Sequence, residues 1–193
     1  MENSNIYQKV NEYLAKWDPI GLPQEIVNVE YVGYVPEIVE VLSDKKALYI
    51  SLKSFLNKLG ICDEDTLIDI EKELYWRVDE LTKLKKECQT HEVFFRIYDK
   101  EKLKGISSWL IAYDDKKKCT CCEVGIGNTG NVITKAPCEG FHDYWLHSIF
   151  TIKEYVELFP FEFISKEEFE SAWNDEPNQI TAITGVGSVD HFF

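Results

Sequence analysis

Basic side chains are scarce in this 193-residue chain: 21 lysines and arginines face 34 aspartates and glutamates, a formal net charge of −13. So acidic a chain repels phosphate backbones and anionic lipid surfaces. Nucleic acid and membranes are therefore not expected partners, and basic proteins are. No apolar run approaches the roughly 20 residues needed to cross a bilayer. The opening Met1-Glu-Asn-Ser-Asn-Ile-Tyr lacks both the positive and the apolar stretch of a secretory signal. A cytoplasmic location is expected, with six free thiols in a reducing compartment. Internal repeats and low-complexity tracts are absent, no catalytic motif survives inspection, and no cofactor is expected.

What is present is a composition that packs. The chain is 45% apolar and 13% aromatic, and its length suits one full domain or two small ones. Residues 1–89 read as a helical domain. Ser4 is the expected N-cap of a first helix, whose apolar positions run through Ile6, Val10, Tyr13, Leu14 and Trp17. Asp18-Pro19 and Gly21-Leu22-Pro23 end it. Pro36 opens a second helix, Ser43 or Asp44 caps a third, and Gly60 closes that one. A longer fourth helix runs from Asp63 to near Cys88, with Leu67, Ile70, Leu74, Val78 and Leu81 on one face. That stripe is too short for a coiled coil and is expected to pack on the first three helices.

Residues 90–193 read as an α+β domain with an acidic C-terminal region. Strands are expected at Val93–Tyr98, Ile106–Tyr113, Cys119–Ile126, Val132–Thr134 and Tyr144–Thr151. The short charged turn Asp114–Lys118 makes the second and third an antiparallel hairpin. Two short helices follow, Ile152–Phe159 and Ser165–Trp173. In the second of these, Ser165 and Glu168 have the capping-box spacing. The expected fold class is α+β: a helical N-terminal lobe, a mainly antiparallel sheet, and two short C-terminal helices.

Three residue patterns invite a chemical reading. Gly125-Ile-Gly127-Asn-Thr-Gly130 has the lettering of a dinucleotide loop. No helix can open after it, because Asn131–Pro137 is β-branched and ends in proline. A turn between strands, with Asn128 and Gly130 at positive φ, fits better. Cys119, Cys122, Cys138 and His142 have ligand types that suit zinc. On a regular strand, however, Cys119 and Cys121 face one way and Cys122 the other, so a bulge or turn at Thr120 is required. Cys121 or Cys122 with His142 or His147, oriented by Asp143, would supply a thiol nucleophile, but no hydrolase signature surrounds either cysteine. Small buried thiols are the plainer alternative.

Charge is the strongest signal. Residues 139–193 hold eleven carboxylates against Lys153 and Lys166, which is −9 of the total −13. Glu154, Glu157, Glu162, Glu167, Glu168, Glu170, Asp175 and Glu176 are the candidate partner-binding residues. Aromatics interleave with them, and carboxylates beside aromatic anchors suit a basic protein. The plainer alternative is a solvated face that keeps the chain soluble.

Trp17-Asp18-Pro19-Ile20-Gly21, after an amphipathic helix and before Tyr34-Val-Pro-Glu37-Ile, resembles a small bacterial helical domain of unknown function with a W-D-P-x-G turn. The resemblance covers roughly residues 5–60 and implies a bacterial cytosolic origin and a compact helical fold. It transfers no catalytic residue. The second half is similar in size, acidity and α+β content to immunity proteins of bacterial toxin systems. That similarity implies a non-enzymatic protein that binds and neutralises a basic toxin domain, a nuclease being one candidate. Two alternatives stand beside it: a regulatory or scaffold interaction module, and a zinc- or thiol-dependent protein built on Cys119–His142.

Overall fold

The computed structural model describes residues 5–61, 67–88, 90–98, 105–137, 144–146 and 148–177. The helical part comprises α1 (Ile6–Trp17), α2 (Val27–Glu30), a 3-10 turn (Val32–Tyr34), α3 (Val35–Val41), α4 (Lys45–Lys58) and α5 (Leu67–Glu87). Strands β1 (Glu92–Tyr98), β2 (Ile106–Asp114), β3 (Cys119–Gly127) and β4 (Val132–Ala136) follow, then α6 (Ile152–Leu158), β5 (Phe161–Phe163) and α7 (Lys166–Asn174). Among the described residues the strands form one antiparallel sheet in the order β4-β3-β2-β1-β5. The expected α+β class is therefore what the chain adopts.

Local signals account for most helix ends. Ser4 lies outside the described residues; Asn5 is the N-cap of α1, its side chain accepting from the Gln8 N–H. Asp44 caps α4 by accepting from Lys46 and Ala47, and Gly60 follows α4 at φ 76°. Asp18 ends α1 at φ 39°, and its carboxylate accepts the Leu22 N–H and the Tyr31 hydroxyl. Thr151 and Glu154 form a reciprocal capping box on α6. At α7 the Ser165 hydroxyl accepts from the Glu168 N–H, but the Glu168 carboxylate turns to Arg96 instead of closing a box.

Alternation along the strands divides the core. Val93, Phe95 and Ile97 of β1, with Trp109, Ile111 and Tyr113 of β2, face the helices. They join Val10 and Leu14 of α1, Ile38 of α3, Leu52 of α4, Leu74, Val78 and Leu81 of α5, and Tyr155 of α6 in one buried cluster. Phe94, Leu110, Val124 and Val132 face the other way, where Ile164 and Phe169 cover them. The segments 1–89 and 90–193 thus share one apolar core, and α7 seals the opposite side of the sheet. Lys135 is buried there and donates to the carbonyls of Trp173 and Asp175, at the negative end of α7.

The structure differs from expectation in three places: α2 and the 3-10 turn form at 27–34, where no element was expected, and two β-prone segments exchange roles. Residues 144–146 and 148–150 form no strand: the Tyr144 and Trp145 N–H groups donate to the Glu123 carboxylate, and the Ser148 N–H to the Trp145 carbonyl. Their rings fill the inner side, where Tyr144 stacks on Trp109 and Trp145 packs against Tyr155 and Phe159. The edge strand is Phe161–Phe163 instead, pairing with Phe95–Ile97. Trp17, expected in the core, lies half-buried at its margin.

Candidate functional site

The eight acidic candidates separate into two groups on opposite sides of the sheet. Glu154 and Glu157 belong to α6, whose Ile152 and Tyr155 pack on the inner side. Glu154 is occupied at the helix start, where the Thr151 backbone N–H and then its hydroxyl hold the carboxyl below the usual range. Glu157 lies 3.9 Å from Lys153. Glu162 of β5 and Glu167, Glu168, Glu170, Asp175 and Glu176 of α7 and its exit lie on the outer side, since Arg96 bridges Glu162 and Glu168 at 2.7 Å each.

Within the outer group, charges are unevenly paired. Arg96 serves two carboxylates, and Lys166 reaches Glu170 at 3.6 Å and Glu92 at 3.7 Å. The carboxylates of Glu167, Asp175 and Glu176 are exposed and engage no cation among the described residues. Tyr98, at the end of β1, is 40% exposed and donates its hydroxyl to Glu162. It supplies the aromatic neighbour of this acidic edge. Sequence inspection did not single it out, because a tyrosine ending a strand looks like any other core alternation until β5 is placed beside it.

The cysteines sit on β3 around a bulge. Ala112 pairs with Cys122, Tyr113 with Thr120 and Asp114 with Cys119, so Cys121 is the extra residue. The irregularity the zinc reading required is present, one residue further on than expected, and places Cys119 and Cys122 on the same side of the sheet. Cys138 and His142, the other proposed ligands, lie outside the described residues, as do Asp143 and His147. Burial pushes the Cys122 thiol up, aided by Glu92; burial and then Cys119 do the same for Cys121. Such surroundings favour the thiol over the thiolate that a nucleophile or metal ligand needs.

The glycine pattern resolves into packing and a turn. Gly125 lies opposite Trp109, where a Cβ would approach the Thr134 methyl to 2.7 Å and the Trp109 ring to 3.1 Å. Gly130 holds φ 81° in the connection to β4, and Asn128 is not at positive φ. A strand follows, so the loop does not open into a helix.

A feature absent from the sequence reading is a cleft of about 610 Å³ on the helix side of the sheet. It opens where α1 begins, α3 and α5 end, and the β2–β3 turn meets the start of α6. The Tyr7 hydroxyl donates to Asp115 at 2.8 Å, and Lys118 contacts the same carboxylate at 2.7 Å. Burial, then Asp115, holds the Tyr7 phenol far above its ordinary range, so it remains a proton donor.

No family model, curated protein or solved structure gives a significant match to the chain. Among the described residues, no helix is long and apolar enough to cross a membrane.

Proposed function

We propose that the chain is a non-enzymatic, immunity-like protein that binds a basic toxin domain through the outer edge formed by β5 and α7. Unpaired charge on that edge carries the reading: among the described residues Glu167, Asp175 and Glu176 stand exposed without cations, beside Glu162 and Glu168, which share one arginine. A basic surface would complete this arrangement, with charge steering the encounter and Tyr98 supplying an apolar anchor. Neutralisation would act by covering the toxin's own site. A nuclease fits as partner because a phosphate-binding surface is basic. Glu154 and Glu157 fall outside this interface, since α6 lies across the sheet from α7.

Capture of the partner from host lysate, followed by titration with the purified partner, tests this. The wild-type complex should weaken as salt rises. The triple substitution Glu167→Lys, Glu170→Lys and Glu176→Lys should lower affinity by about tenfold or more. Glu157→Lys, on the other side, should leave it unchanged. An equal loss from Glu157→Lys, no loss from the triple variant, or no salt-sensitive basic partner would overturn the assignment.

A further inference from the structure

The cleft between the helices and the β2–β3 turn reverses the charge balance of the chain. Carboxylates outnumber basic groups 34 to 21 overall. Around the cleft, among the described residues, three lysines face Glu40 and Asp115, with His91 beside them. Asp115 is already engaged, by the Tyr7 hydroxyl and by Lys118. Of the other two cations, Lys85 meets a neutral partner, the Ser43 hydroxyl, at 2.5 Å. Among the described residues, Lys153 pairs with Glu157 alone, at 3.9 Å. The floor is apolar: Tyr7, Leu42, Val93 and Ile152 are buried there, with Val39 half-buried beside them. A volume of about 610 Å³ lies in the range of small-molecule sites, which combine an apolar lining with a few convergent polar groups.

We propose that this cleft binds a small amphipathic anion, its apolar body on the Tyr7–Val93–Ile152 floor and its carboxylate or phosphate head among Lys85, Lys118 and Lys153. The lysines are exposed at the rim, so the head keeps contact with water while the body leaves it, and both terms favour binding. A cationic head is disfavoured at the same place. The site lies on the inner side of the sheet and shares no lining residue with the acidic outer face of β5 and α7, so it stands independently of the partner assignment above.

Titration calorimetry and amide chemical-shift mapping with octanoate, octyl phosphate, octylammonium and octanol test the site. At least one anion should bind and shift the amides of Thr90, His91 and Ile152, and the tighter of the two anions identifies the head group. Octylammonium should bind least. Lys85→Glu with Lys153→Glu should weaken the anion by about tenfold or more, while Glu157→Gln, which frees Lys153, should strengthen it. Both lysines are exposed, so melting of the double variant should match that of the wild type; Lys85→Gln with Lys153→Gln serves if it does not. Failure of both anions to bind, equal binding of octylammonium, or an unchanged affinity in the folded lysine variant would overturn the proposal.

Discussion

Glu123 is fully buried in the middle of β3, on the face that packs against helices, where a carboxylate is costly unless its oxygens are satisfied. Its two oxygens accept the backbone N–H groups of Tyr144 and Trp145, so one side chain replaces the ladder that segment lacks. Glu123→Ala should destabilise the protein by about 2 kcal/mol, because two part-buried N–H groups lose their acceptor. Denaturant unfolding measures this, and hydrogen exchange should quicken at Tyr144 and Trp145. Asp18 acts through charge as well. The Leu22 N–H, then the Tyr31 hydroxyl, holds its carboxyl below the usual value. The folded chain therefore gives up this proton more readily than the unfolded chain. Its stabilisation is complete above the ordinary aspartate value of about 4 and is lost as pH falls through the lower folded value. Asp18→Asn should flatten the acid limb of a stability-versus-pH curve over that window and leave its slope near neutrality unchanged.

Among the elements, α1 and α5 are fastened by one arginine. The Arg77 guanidinium lies 4.8 Å from the Trp17 ring, 4.5 Å from the Trp76 ring and 5.7 Å from the Tyr13 ring, and pairs with Glu73 at 2.9 Å. Glu73 also accepts the Trp17 indole N–H. This explains why Trp17 sits at the margin of the core: its ring packs on Phe55 while its polar edge and one face meet Glu73 and Arg77. Arg77→Ala should cost about 2 kcal/mol in stacking and packing. Arg77→Lys should recover only part of it, since an ammonium lacks the planar face. Equilibrium denaturation of both variants checks the order.

Across the whole molecule, the shared core makes the two segments one cooperative unit. Tyr7, Leu14 and Ile38 from the first segment and Phe95, Tyr113 and Tyr155 from the second belong to the same buried cluster. Calorimetry should show a single transition whose van't Hoff and calorimetric enthalpies agree. Residues 90–193 expressed alone should lack native tertiary structure, because the helix-facing side of the sheet would lose the cover of α1, α3, α4 and α5. Two separate transitions would contradict this.

Periodicity and caps made α1, α4, α5 and the β2–β3 hairpin legible in the chain, because their information is local: apolar spacing, Asp44 before α4, Gly60 after it, and a turn too short for a crossover. The same reading placed a strand at Tyr144–Thr151 and none at Phe161–Phe163. Both segments are aromatic and β-prone, and only the choice of hydrogen-bond partners, Glu123 for one and β1 for the other, separates them. The acidic excess was equally visible as a count, yet its division between two sides of the sheet follows from where α6 and α7 pack. The cleft left no local trace, since its walls come from segments 6–7, 36–42, 85–93, 115–118 and 151–153. Local composition determined which elements form and how acidic the chain is. Long-range packing decided which charges share a surface and where a cavity opens, because those depend on neighbours far apart in sequence.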